Sequence, residues 1–247
     1  LGVECNSEFE AWRTVKMRNR ISVIVLAAGK GSRMHSEKKK QFIELDHKPV
    51  LYYCLERFEK SRIDEVILVT AEEDKEFCRK QIVEKYGIKK VTAYVNGGKE
   101  RFESVKNGLE KVTGDVCMIH DGARPFPPRE AIDMLCAMSE KNSAVILGVP
   151  VKDTIKVVDD NGRILQTPKR SSLMAAQTPQ MFKTSLLRDA YAKMERSGCK
   201  DVTDDAMIVE RFTNTAVSVI MGSYTNLKIT TPEDLQIAEN QCKTNCL

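Results

Sequence analysis

Between residues 21 and 149, five short β-rich apolar runs alternate with segments of helical period, and this alternation constrains the fold more than any other feature. The runs are Ile21–Leu26, 66–69, 91–95, 116–119 and 144–149. Apolar runs without polar alternation suit strands buried on both faces, as in parallel sheets. The segments between them, 49–58, 73–86, 101–112 and 128–139, read as helices, with Pro49 near N1 of the first. A βαβα order of this kind implies an α/β domain with a mostly parallel sheet and helices on both sides.

The rhythm breaks over 150–180. Residues 154–167 alternate around Asn161-Gly162, a hairpin signal, so an arm is expected at about 152–172. Such an arm has little core of its own and should pack on something; a second copy of the chain is the economical candidate. Helical period resumes at 185–197 and 203–212, and 217–221 reads as a strand. Thr231 as N-cap, Pro232 at N1 and acids in the first turn open a last helix, and the tail after Glu239 is expected to fray. Residues 1–20 are polar and lack the apolar core of a signal peptide. They are expected to be an upstream extension, with Met17 near the functional start and one domain over 21–240; a regulatory arm carrying Trp12 is the alternative.

Composition narrows the function. The chain has 247 residues, 42% hydrophobic and 30% charged, which excludes disorder, collagen and coiled coil as whole-chain readings. A net charge of +4 is too mild to mark a nucleic-acid binder, and no RNP-like or helix-turn-helix signature occurs. No stretch approaches the roughly 18 apolar residues of a membrane span. Eight cysteines are scattered, with Cys242 and Cys246 the one close pair. That argues against a zinc site or a disulfide framework and for the reducing cytoplasm.

Three clusters carry chemistry. The first follows the first strand: Leu26-Ala27-Ala28-Gly29-Lys30-Gly31-Ser32-Arg33-Met34. Gly29 and Gly31 allow backbone to approach a phosphate chain. Lys30, Arg33, Lys38, Lys39 and Lys40 oppose only Glu37, so the chain's net positive excess is concentrated here. Lys38 and Lys39 read as a solvated surface. Lys40 abuts Gln41-Phe42, where the chain turns apolar. Neither the dinucleotide fingerprint nor the P-loop pattern fits these glycines, nor does the P-loop fit Gly97-Gly98-Lys99. The second cluster, His120-Asp121-Gly122-Ala123-Arg124-Pro125, lies at the carboxyl end of the fourth strand, where α/β sheets bind ligands. Asp121 and Arg124 could orient hydroxyls and an anion, or could form a structural turn with an internal salt bridge; the residues leave both open. His120 reads as a buried structural histidine. The third cluster, Asn96-Gly97-Gly98-Lys99-Glu100-Arg101-Phe102-Glu103-Ser104, suits a base or ribose contact, or a plain strand-to-helix turn.

Taken in order, these residues with Pro150-Val-x-Asp-Thr154, Gln177-Thr-Pro-Gln-x-Phe182, Thr203-Asp-Asp-Ala206 and Asn226-x-Lys-Ile-Thr-x-Pro-Glu-Asp-Leu235 resemble the 2-C-methyl-D-erythritol 4-phosphate cytidylyltransferases of the non-mevalonate isoprenoid pathway. The resemblance covers roughly 21–239, nearly the whole chain. It implies a single Rossmann-like nucleotidyltransferase domain with a mostly parallel central sheet and a protruding β-hairpin arm. The activity it implies is CMP transfer from CTP to 2-C-methyl-D-erythritol 4-phosphate, with Mg2+ on the triphosphate. Arg33, Lys40 and Lys228 would be catalytic. Ala27, Ala28, Gly29, Gly31, Gly98, Ser104, Asp121 and Gly122 would bind CTP. Asp121, Arg124, Thr154, Arg170 and Thr178 would bind the sugar phosphate, and Asp121 is the candidate protein ligand for the metal. The arm, with Thr154 and Arg170, would cross to the partner of a homodimer. Gly122 departs from the family pattern, which commonly has alanine there. The runner-up is a ribitol 5-phosphate cytidylyltransferase; a non-catalytic nucleotide-binding regulator would not need Arg33, Lys40 and Lys228 together.

Overall fold

The computed structural model describes residues 18–29 and 38–245. Among these, seven strands form one sheet in the order β11-β7-β10-β6-β1-β4-β5. They are β1 (Ile21–Leu26), β4 (Glu65–Thr70), β5 (Val91–Asn96), β6 (Val116–Asp121), β7 (Ala144–Pro150), β10 (Met174–Lys183) and β11 (Ser218–Met221). Pairing is parallel except along β10, which runs antiparallel to both β6 and β7. The sheet is therefore mostly parallel, as the alternation predicts.

Alternate residues of each central strand feed opposite cores. Val23, Val25, Val66, Leu68 and Met118 join one buried cluster, while Ile24, Ile67, Val69, Cys117 and Ile119 join the other. On the first face pack α1 (Val50–Glu59) and α4 (Arg129–Met138). On the second pack α3 (Arg101–Leu109), α5 (Thr184–Ser197) and α6 (Asp205–Phe212). A third cluster, with Leu45, Phe126, Ile229 and Cys242, joins the small hairpin of β2 (Glu44–Leu45) and β3 (Lys48–Pro49) to α7 (Pro232–Asn245).

Pro49 is the N-cap of α1, next to N1 as expected. Three details differ from the sequence reading. The segment expected as one helix over 73–86 is a 3-10 turn (Glu72–Asp74), a single α-turn, α2 (Lys75–Phe77), and a π-helix (Cys78–Glu84). The wider turn brings Cys78, Ile82 and Val83 onto one buried face. The tail does not fray after Glu239: α7 continues to Asn245, because Ala238 and Cys242 are buried in the third cluster. The whole of β10 falls in the stretch where no strand is expected. Its register shifts between Gln177 and Gln180, so Thr178-Pro179 stands out of the ladder with β7.

The expected hairpin is present. β8 (Val157–Val158) pairs antiparallel with β9 (Ile164–Gln166), and Gly162 supplies the left-handed turn at φ 76°. Arm side chains Val158, Ile164 and Leu165 are exposed. Among the described cysteines, Cys54, Cys78, Cys117, Cys136 and Cys199 are free; Cys199 is half-buried, and the other four, like Cys242, are buried. No described helix is long and apolar enough to cross a membrane.

Candidate active site

From β1 the chain builds β4 and β5 on one side, then returns to place β6 on the other side of β1. The two strands pair so that Leu26 meets Asp121 at their carboxyl ends. This is the switch point at which open α/β sheets hold ligands. A cavity of about 990 Å3 opens there, lined by Ala27, Ala28, Gly29, Lys40, Gly97, Gly98, Ser104, Asp121 and Lys228, among others.

One wall is the loop leaving β1. The Ala27 N–H donates to the Val69 carbonyl at 2.7 Å. The buried Gln41 amide donates to the carbonyls of Ala27 at 2.7 Å and Gly29 at 3.2 Å. Gln41 sits in a 3-10 turn, Lys40–Phe42, so this bond fixes Lys40 relative to the loop. Lys39 is not simply solvated: it pairs with Glu73 at 2.8 Å and Asp74 at 2.6 Å, pinning the same turn. Gly31 and Arg33 lie outside the described residues.

The opposite wall is the turn into α3. The Gly98 N–H donates to Ser104 Oγ at 3.0 Å, and Glu100 and Glu103 form a capping box. A Cβ on Gly98 would lie 2.2 Å from Glu103 Cβ, and one on Gly97 2.3 Å from Ala28 Cβ. Both glycines are thus required by close approach. Gly122 is tight as well: its added Cβ would stand 2.9 Å from the Leu26 carbonyl oxygen.

Asp121 forms the floor. Lys228 Nζ stands 2.8 Å from its carboxylate, Arg101 Nε 3.3 Å and Arg124 Nε 3.9 Å. Burial alone would raise its pKa, but Arg101, Lys228 and Arg124 outweigh that and hold it well below the usual carboxylate range. Lys228 arrives on the segment before α7. That segment is tied down by the buried Asn226, whose amide donates to the Thr178 carbonyl at 2.8 Å, and by the Ile229 N–H donating to Ala123 at 2.8 Å. Arg124 donates to the Asn226 carbonyl at 2.7 Å.

Thr178 lies beneath the floor rather than facing the cavity. Its hydroxyl accepts from the Asp121 N–H at 3.1 Å and meets His120 Nδ1 at 3.1 Å. His120 Nε2 is 3.0 Å from the Arg124 carbonyl, which assigns the ring proton to Nε2. Burial lowers the His120 pKa to about 4, so the ring is neutral and structural. Thr154 and Arg170 stand on the exposed arm, not in this chain's cavity; Arg170 donates to the Lys152 carbonyl at 3.1 Å.

The arrangement offers one lysine and two arginines around one ionised carboxylate, with Lys40 and two glycine turns lining the same cavity. Among the described residues no group of three or more His, Cys, Asp or Glu could hold a metal. Glu103 spends one carboxylate oxygen on the N–H groups of Lys99 and Glu100, which leaves Asp121 as the carboxylate at the floor.

Residues 21–243 match the family model described as IspD, 2-C-methyl-D-erythritol 4-phosphate cytidylyltransferase. Relatives of that name include one from Alkaliphilus metalliredigens (strain QYMF), 48% identical over 90% of this chain and 92% of its own length. Another, from Clostridium botulinum (strain Eklund 17B / Type B), is 45% identical over 89% of this chain and 97% of its own. The crystal structure of 4-diphosphocytidyl-2C-methyl-D-erythritol synthase from Anaerococcus prevotii DSM 20548 superposes with a TM-score of 0.79 at 34% identity, covering 91% of this chain and 98% of that one.

Proposed function

The chain belongs to the 2-C-methyl-D-erythritol 4-phosphate cytidylyltransferase family, and from that premise we propose how its own side chains serve the reaction. The enzyme transfers CMP from CTP to 2-C-methyl-D-erythritol 4-phosphate, releasing pyrophosphate and forming 4-diphosphocytidyl-2-C-methyl-D-erythritol. The nucleophile is a phosphate oxygen that is already anionic, so no strong base is needed. The neutral, engaged His120 fits that economy.

The difficulty is the meeting of two anions. Lys40 and Lys228, with Arg33, hold the triphosphate and offset charge developing at the α-phosphate. Ala27, Ala28, Gly29, Gly31, Gly98, Ser104 and the backbone at Asp121 and Gly122 hold the cytidine and its phosphates. Asp121 and Arg124 orient the sugar phosphate, and Thr178 serves by fixing Asp121. Thr154 and Arg170 complete the site of the partner in a homodimer, a role favoured by their exposed place on an apolar arm.

Magnesium fits the donor set. Asp121 is an ionised carboxylate at the cavity floor, and Mg2+ characteristically takes one or two carboxylates with phosphate oxygens and water. Bound there, it would neutralise charge on the triphosphate oxygens. The free, buried thiols of Cys54, Cys78, Cys117 and Cys136 favour a cytoplasmic location.

The convergence of Lys40, Lys228 and Asp121 in one cavity at the sheet's switch point carries this reading. Pyrophosphate release with CTP and methylerythritol phosphate, with ribitol 5-phosphate as control, tests it; equal turnover of the two polyol phosphates would reject the specificity. Lys40→Ala and Lys228→Ala should each lower kcat about a hundredfold with the fold intact. Turnover near wild type in either variant would remove that lysine from the mechanism.

A further inference from the structure

Asp121 meets three cations, but they are not equally held. Lys228 is partly exposed and pairs with Asp121 alone among the described groups. Arg124 is mostly buried and is held by its Nη1 bond to the Asn226 carbonyl at 2.7 Å, with its Nε 3.9 Å from Asp121. Arg101 differs from both, because its far end pairs with Asp205 at 2.8 Å. Asp205 is fully buried at the first turn of α6, and its other oxygen accepts from the Tyr191 hydroxyl of α5 at 2.6 Å. The Asp205 N–H in turn donates to the Gln180 side chain of β10. Three elements, α6, α5 and β10, therefore fix Asp205, and through it Arg101 of α3. Burial, then Asp205, keeps the Tyr191 hydroxyl protonated far above its usual range, so this donor is always present.

Substrate phosphates entering the cavity attract every cation near Asp121. Until a metal ion binds there, loss of all three would leave a buried carboxylate uncompensated, which is strongly unfavourable. We propose that Asp205 and Tyr191 are positioning residues that hold Arg101 on Asp121 when substrate phosphates arrive, which leaves Lys228 to move onto those phosphates. The pair keeps Arg101 fixed beside an exchangeable Lys228. The inference rests on the cytidylyl-transfer reading above.

The test is a set of double-mutant cycles read by pyrophosphate release. Wild-type activity is measured first; its absence overturns the reaction and this inference together, whereas its presence isolates the inference. Asp205→Asn should lower kcat about tenfold or more, with KM for CTP changed less than about threefold. Tyr191→Phe, which removes one oxygen from a retained ring, should lower kcat by about two- to fivefold in the same pattern. In a Lys228→Ala background both effects should largely vanish, because the step they assist is then gone. A purely structural pair would instead cost the same factor in either background. That additivity, or unchanged kcat in Tyr191→Phe, overturns the proposal; should Asp205→Asn fail to fold, the Tyr191→Phe cycle alone decides.

Discussion

At the scale of single residues, the site separates groups that face the cavity from groups that hold them. His120 belongs to the second kind. Its folded pKa of about 4 lies below the ordinary 6.5, so as pH falls the unfolded chain takes up the proton first. The stability due to this group is whole above about pH 6.5 and is lost progressively toward about pH 4. The Asp121 contribution is lost only below that carboxylate's ordinary 3.8, so the two windows do not overlap. The urea midpoint of the wild type should therefore fall between about pH 7 and about pH 5, and fall less in His120→Asn. An equal fall in both would assign the acid sensitivity elsewhere. Lys40 was legible where the basic run turns apolar, Asp121 as a ligand contact or a structural turn at a strand's carboxyl end, and Lys228 through the family resemblance; the structure brings all three to one cavity. Arg101 stood in a legible motif too, but its partner Asp205 lies 104 positions away, and no local period encodes a pairing at that distance.

At the scale of elements, strands buried on both faces announce themselves. β1, β4 and β6 are continuous apolar runs whose alternate residues enter two cores. β10 gives no such signal. It carries Gln177-Thr178-Pro179-Gln180 in its middle, which reads as a break, and it is accommodated by a register shift at that point. The break is also where the strand does its work, since Thr178 fixes the Asp121 backbone from there. The turn into α3 makes a sharper demand. Any side chain on Gly98 meets Glu103, whose carboxylate caps the helix. Gly98→Ala should lower stability by about 1–3 kcal/mol and raise KM for CTP more than it lowers kcat. A variant with wild-type melting and wild-type KM would show that the turn yields without cost.

At the scale of the whole molecule, the arm leaves apolar residues uncovered by the described part of its own chain: Ile164 is 61% and Leu165 67% exposed. Thr154 and Arg170 share that arm and stand apart from the cavity of their own subunit. If two copies exchange arms, Arg170→Ala disables the neighbour's site and Lys40→Ala its own. Mixed dimers of the two variants should then recover up to roughly a quarter to a half of wild-type activity, since one site in the mixed pair is intact. Activity no higher than that of the separate variants would refute sharing. The same compactness governs the sulfur chemistry. Burial pushes the thiols of Cys54 and Cys78 up to about 12, and Cys136 to about 11. Apart from Cys5 and Cys246, which lie outside the described residues, an alkylating reagent added to the native protein finds Cys199 well ahead of the rest. The others become reachable only when the strands part, so the mass added during a brief labelling pulse counts the molecules whose core has opened.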